Sequence, residues 1–208
     1  MNARPPHGSA RPGGRTARTR AAVLAAAYDA LGAESFSALT LDKLAERSGV
    51  HVSTIRRRWR TVEGVVVDLL AERSSTLSTP DSGDFRRDLH ELARSIGDFN
   101  NALRNRNLIQ GLVAAAAYDP RGEEILRDTF VGRIDERAPI VRHAIDRGEL
   151  PADTDAKDVI AALAAPFYYR VLILRGPIDA RLVRTSAEAV YQAARAGVFR
   201  RENEAPGP

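Results

Sequence analysis

Apolar residues recur every three to four positions along most of this chain, with polar residues between them, which is the spacing of amphipathic helices. In the first such stretch Val23, Ala26, Ala27, Ala30 and Leu31 share one face, and Gly32 is the expected stop. Phe36 and Leu39 fall in a short connection. Thr40 can then cap a second helix whose inner face is Leu41, Leu44 and Ala45. Ser48-Gly49 ends that helix early, and Gly49 supplies the positive φ that a sharp turn needs. A third short helix is expected over 52–59, with Val50, Ile55 and Trp59 turned inward.

Longer helices follow, over about 62–77, 84–103, 106–118, 121–147, 153–174 and 179–196. Leu89, Leu92, Ala93, Ile96 and Phe99 line one face of the second of these. The breaks between them are the loop 78–83, Asp119-Pro120, Gly148 with Pro151 beyond it, and finally Gly197. Pro166 sits inside 153–174, where the missing backbone donor should kink the helix. There is no strand-like alternation bounded by hairpin turns, and no internal repeat. The pattern predicts an all-α protein of about nine helices: a basic arm (1–15), a three-helix head (16–62), a larger helical body (63–199) and a polar tail (200–208).

Composition narrows the chemistry. The 208 residues include no cysteine, which excludes disulfides, Cys-ligated zinc, iron–sulfur clusters and thiol nucleophiles. No apolar run approaches the roughly 18 residues of a membrane span, and no apolar stretch follows the basic N-terminus as in a secretory signal. The expectation is a soluble, cytoplasmic protein with no membrane partner.

Charge is distributed unevenly. Of 31 basic residues only Lys43 and Lys157 are lysine, a bias that GC-rich coding alone would produce. Position is more telling than total. Residues 1–64 carry eleven basic and five acidic side chains, a net of +6, whereas the chain as a whole nets +4, so 65–208 net −2. A basic module for a polyanion joined to a near-neutral body fits that asymmetry. Residues 1–15, rich in Pro, Gly and Arg and without an acid, suit a flexible arm that is either inert or touches DNA.

Three short helices with a tight glycine turn between the second and third make a helix-turn-helix. The third helix, about 10 Å long, can lie in a major groove. Its exposed residues are Val52, Ser53, Thr54, Arg56, Arg57 and Arg58. With Arg60 there are four arginines in five positions, too many for one face, so some would track phosphates while one or two read guanine. The bland alternative is a solvated charged face.

The stretch Leu39-Thr40-Leu41-Asp42-Lys43-Leu44-Ala45-Glu46-Arg47-Ser48-Gly49-Val50 and its continuation His51 to Val65 resemble the head of the TetR family of transcriptional regulators. In the body, Arg147-Gly148-Glu149-Leu150-Pro151-Ala152-Asp153-Thr154-Asp155 and Ala165-Pro166-Phe167-Tyr168-Tyr169-Arg170 resemble a TetR-type ligand-binding and dimerisation domain. The chain departs from the family pattern at His51, where serine usually caps the recognition helix; Ser53 or water then compensates, or His51 faces DNA. It also departs at Arg56, often a phosphate-touching tyrosine, and at Val62, usually lysine.

The resemblance implies a homodimer on a palindromic double-stranded operator, most often a repressor, released by a small-molecule effector. DNA contacts then fall to Thr40, Lys43, His51, Val52, Ser53, Thr54, Arg56, Arg57, Arg58 and Arg60. Phe167, Val171 and Leu174 on one helix, with Val183, Ala187, Val190 and Ala194 on the next, are candidates for the dimer seam, or equally for intramolecular core. Phe99, Gln110, Val113, Tyr118, Phe130 and Tyr168 are candidates for the effector pocket, and the helix over 62–77 for the link to the head.

No cofactor or metal is expected, because His7, His51, His90 and His143 offer no i, i+3 or i+4 pair. Adjacent Glu123 and Glu124 suit a solvated first turn, and no phosphate loop or nucleophile motif occurs. The alternatives are a TetR-fold binding protein without operator recognition, and an all-α enzyme with an unrecognised site.

Overall fold

The computed structural model describes residues 14–74, 79–117 and 120–201. Most of the arm, residues 202–208 of the tail and Tyr118 therefore lie outside the described residues. Within them the chain forms nine α-helices: α1 Arg15–Ala33, α2 Leu41–Ser48, α3 Val52–Trp59, α4 Val62–Ser74, α5 Phe85–Asn101, α6 Leu103–Ala116, α7 Pro120–Asp146, α8 Ala156–Tyr168 and α9 Ala180–Arg195. The one β-type contact among the described residues is an isolated bridge between Thr154 and Arg200.

Short polar side chains set the helix starts. Thr40 accepts a hydrogen bond from the Lys43 N–H at 3.1 Å, and Thr61 accepts from the Gly64 N–H at 3.2 Å. Asp84, Asp155 and Asp179 do the same for α5, α8 and α9. Each satisfies donors that have no partner within the helix. Gly49 closes α2 in the left-handed region at φ 67°, as its place in the turn predicts. Gly32 behaves differently. The first helix runs through it to Ala33, and its missing Cβ instead admits the Arg104 side chain, whose Nε would stand 2.6 Å from a β-carbon there.

Two further elements differ from the pattern-based expectation. The segment over 153–174 starts later, at Ala156. It passes Pro166 as α-helix and then widens into a π-turn at Tyr169–Ile173, where the Leu174 N–H reaches the Tyr169 carbonyl five residues back at 3.2 Å. Pro139, unremarked in the periodicity, lies inside α7 without ending it.

Burial divides into two cores. One is built by α5, α7, α8 and α9 around Phe85, Leu89, Leu92, Val141, Leu163, Phe167 and Val190. The other holds Val23, Leu24, Leu31, Leu44, Ile55 and Trp59 of the three-helix head, but also Val65, Val66, Leu69 and Leu70 of α4 and Leu108, Ile109 and Leu112 of α6. Several contacts pin α6 to the head. Gly111 lies so close under Phe36 that a β-carbon would stand 2.2 Å from the ring. The Asn107 side-chain amide donates to the Leu31 carbonyl at 2.8 Å, and Arg104 pairs with Asp29 at 3.1 Å. The Tyr28 ring carries the Arg73 guanidinium at 3.6 Å and that of Arg104 at 4.9 Å, so one aromatic of α1 touches both α4 and α6.

Candidate functional site

The head presents α3 outward on two buried anchors, Ile55 and Trp59. At 3.6 residues per turn, Arg57 points about 180° away from the mean direction of that pair. Arg56, Arg57 and Arg58 are all exposed. Thr54, Arg57 and Arg58 line one depression with Arg15, Thr16 and Thr19 from the start of α1. Arg58 also stacks over the Trp59 ring at 5.1 Å.

A cluster of hydrogen bonds meets at the base of α3. The indole N–H of Trp59 donates to Asp68 of α4 at 2.9 Å. Arg20 of α1 grips the same carboxylate through Nε at 3.0 Å and Nη2 at 2.6 Å, and reaches Glu72 at 2.5 Å. Burial pushes the Asp68 carboxyl upward, but the bonds from Arg20 and Trp59 outweigh it and hold the group below its ordinary value. Thus α1, α3 and α4 are tied at one point.

His51 resolves one ambiguity of the sequence. Its Nδ1 accepts the Ser53 N–H at 3.3 Å and shares a 2.8 Å hydrogen bond with the Ser53 hydroxyl, so the imidazole is itself the N-cap of α3. Lys43 does not project freely. Its ammonium donates to Glu34 at 3.1 Å and to the Ala38 carbonyl at 2.9 Å, and Arg47 holds the same glutamate. Val52 and Val50 are half-buried, while Ser53 is exposed. Arg60, also exposed, takes φ 63° and ψ −45° at the centre of a turn closed by the Thr61 N–H on the Trp59 carbonyl at 2.7 Å. That is a strained γ-turn for a residue with a side chain. Directly behind it, a β-carbon on Gly64 would stand 2.4 Å from the Trp59 carbonyl oxygen.

In the body, a cavity of about 230 Å³ opens between α5, α7 and α8. Ile96, Phe130, Ile134, Ile160, Ala161, Ala164 and Ala165 supply its apolar walls, and Arg133, Arg137 and Tyr168 its polar groups. Phe130 meets Tyr168 edge to face at 4.9 Å. Burial pushes the Tyr168 phenol upward, so it stays a hydrogen-bond donor. Of the residues picked from sequence, Phe130 and Tyr168 line this cavity, and Phe99 lies behind it with the Arg133 guanidinium 5.0 Å over its ring. Gln110 and Val113 lie elsewhere. Gln110 bonds the Val171 carbonyl at 3.2 Å, and Val113 packs against the head-side core. Arg133 and Arg137 escaped the sequence reading. Their i, i+4 spacing puts them on one face of α7, but nothing distinguishes them among 29 arginines.

The stripe read as a possible dimer seam needs correction on its orientation. Phe167, Val171, Ala187, Val190 and Ala194 are buried inside the single chain, and Val183 is half-buried against α5; only Leu174 is exposed. The periodicity marked a face that packs within the chain: α9 lies chiefly on α5, and α8 lies on α7, α9 and α5. The outward faces carry Ala165 on α8, Tyr169, Ile173 and Leu174 on the π-turn and its end, and Thr185, Ala189, Gln192 and Ala196 along α9 and its C-cap.

Among the described residues no cluster of three His, Asp or Glu side chains could hold a metal ion, and no helix is long and apolar enough to cross a membrane. Glu123 and Glu124 are both exposed near the start of α7, Glu123 in its first turn.

Residues 79–190 match the family model described as tetracyclin repressor-like, C-terminal domain. The uncharacterized HTH-type transcriptional regulator YdeS of Bacillus subtilis (strain 168) is 31% identical over 168 residues, covering 80% of this chain and 84% of that protein. The HTH-type transcriptional regulator AqdR of Rhodococcus erythropolis is 28% identical over 160 residues, covering 76% of this chain and 77% of the other. Among solved structures, the TetR family transcription regulator SCO0332 is similar with a TM-score of 0.73 and 26% identity, over 84% of this chain and 97% of its own. A tetracyclin repressor-like body, an exposed arginine-bearing third helix in the head and relatives that are HTH-type regulators converge on one assignment: this chain is not an enzyme but a member of the TetR family of DNA-binding transcriptional regulators.

Proposed function

We propose that this protein is a ligand-responsive repressor that binds a palindromic operator as a homodimer and is released by a small molecule held between α5, α7 and α8. One observation carries the DNA-reading half: Arg57 lies diametrically opposite the anchors Ile55 and Trp59, with Thr54 and Arg58 beside it and Arg15, Thr16 and Thr19 continuing the surface. Arg57 is then the residue placed to read a guanine, with Ser53 and Thr54 alongside it. Arg56, Arg58 and Arg60 flank it and meet phosphates. Thr40, Lys43 and His51 act mainly through capping and through the Glu34 anchor, which fix the angle of α3.

The dimer uses the outward faces of α8 and α9. Small residues at Ala165, Ala189 and Ala196 allow close helix approach, and Tyr169, Ile173 and Leu174 give it apolar area that a lone chain leaves in water. The effector acts by binding better to a dimer whose heads are not spaced for successive major grooves, so its differential affinity shifts the population off DNA. Both α4 and α6 connect the cavity side to the head, since both contribute to the head's core.

Selection of bound DNA from a random pool tests the whole reading. A palindrome with half-sites about 10 base pairs apart, or a multiple, is expected, together with a dimer by light scattering that Ile173→Asp converts to monomer. Enrichment of no sequence would leave a TetR-fold binding protein without operator recognition. A monomeric wild-type chain would end the two-groove scheme.

A further inference from the structure

We propose that the cavity between α5, α7 and α8 takes an apolar acid, a compact hydrophobic body ending in a carboxylate that the buried Arg133 guanidinium receives. The proposal rests on reading this cavity as the effector site and adds the chemical class of the effector.

The walls are aliphatic and aromatic, so most of the occupant must be apolar. The exceptions are all donors. Arg133 is only 8% exposed, and its Nη1 is buried with no hydrogen-bond partner. Its guanidinium rests instead over two rings, 5.0 Å from the centre of Phe99 and 5.7 Å from that of Phe130. Arg137, one turn along α7, is 4% exposed and already engaged: its Nη1 bonds Glu136 at 2.8 Å and the Arg133 carbonyl at 3.0 Å. The local acid is thus committed to Arg137, while the neighbouring Arg133 lines the cavity and keeps one guanidinium nitrogen without a hydrogen-bond partner. Tyr168 adds a hydroxyl to the lining.

A guanidinium taken out of water without a partner is costly, and a protein retains one where something arrives to complete it. The aromatic faces relieve part of that cost but accept no hydrogen bond. A carboxylate supplies the missing charge and two acceptors in the geometry a guanidinium fork matches. A primary amide offers one acceptor and no charge, and an amine meets like charge.

The test uses the full-length protein with two skeletons, each bearing three head groups: octanoate, octanamide and octylamine, and 4-phenylbutanoate with its amide and amine. Thermal shift and titration calorimetry read binding. The acids should bind about tenfold or more tightly than their amides, the difference between a charge-assisted and a neutral hydrogen bond, and the amines should not bind. Arg133→Met should abolish the preference for acids and raise the melting temperature of the ligand-free protein. A structural strut would instead melt lower on losing its charge. Arg133→Lys, which keeps charge but loses the fork, should retain a weakened preference. Ala164→Phe, which fills the cavity, should abolish binding of every compound.

Amides or amines binding as well as the acids, and lost in Ala164→Phe, would overturn the acid assignment while leaving the effector site standing. Acids that bind equally to Ala164→Phe would show that they sit elsewhere and overturn the cavity reading itself. Failure of both acids to bind the wild-type protein would overturn the proposed class outright.

Discussion

Removing the Asp68 carboxylate should unlock the DNA-reading helix without touching its exposed face. In Asp68→Ala the Trp59 indole, 9% exposed, loses its acceptor, the Asp68 oxygen at 2.9 Å, at a cost of about 1–2 kcal/mol. Arg20 loses a two-pronged partner but keeps Glu72 at 2.5 Å. Its pair with Asp68 is about a quarter exposed on both sides (28% and 26%), so solvent screening limits that part to about 1 kcal/mol. The sum, about 2–3 kcal/mol, corresponds to a fall in Tm of roughly 5–10 °C for a chain of this size.

Trp59 is the chain's single tryptophan, so its fluorescence during urea unfolding reports on this junction alone, while circular dichroism follows all the helices. Trp59→Phe keeps the ring and removes the donor. A cycle of the two substitutions should give a coupling of about 1 kcal/mol. The pH dependence has a definite sign. Because folding holds the Asp68 carboxyl below its ordinary value, the stability it contributes is complete above that value and is lost as pH falls through the depressed one. The difference between wild type and Asp68→Ala should therefore be constant at neutral pH and close only below about pH 4. Unchanged melting and Trp emission in Asp68→Ala, or a coupling near zero, would refute the account of how α3 is held.

Gly64→Ala places a β-carbon 2.4 Å from the Trp59 carbonyl oxygen, a backbone atom with nowhere to go, so urea melts should show a loss of about 1–3 kcal/mol; a neutral substitution would mean that α4 swings freely. Arg60→Gly should relieve the γ-turn at φ 63° and stabilise the fold by about 1 kcal/mol while weakening DNA binding. Measured separately by thermal melts and fluorescence anisotropy, the two effects should have opposite signs, and a lower Tm would contradict the strain. Arg57→Ala should cost about 1–3 kcal/mol of operator affinity and relax the choice at one base position, whereas Arg56→Ala should weaken all sequences alike and reduce the slope of log K against log salt by about one. Interchanged behaviour of the two would mean that α3 enters the groove rotated.

What the sequence disclosed depended on whether a residue's environment is local. Thr40, Gly49 and the apolar positions of α1 act within one turn of their own backbone, and each behaves as its pattern predicts. His51 was undecidable from sequence because an imidazole cap depends on which way one ring nitrogen points. Gly32 misled because a glycine that admits Arg104 from a helix some seventy residues away looks, in sequence, like one that ends a helix. The α8 and α9 stripes showed that a face is buried but not whether the same chain or a second copy buries it. Arg133 was invisible for a compositional reason: in a chain where arginine is the default cation, a buried one carries no mark.

The head's interior has a consequence for how such regulators can be recombined. Val65, Leu69, Leu108, Ile109 and Leu112 fill the same core as Ile55 and Trp59, and Gly111 is seated under Phe36. A piece cut after residue 62 would leave that interior open on the side where α4 and α6 belong, so the reading head is not a cassette that can be transplanted alone. A chimera meant to give this operator specificity to another sensor has to carry α4 and α6 with the first three helices, and the practical place to splice lies beyond α6.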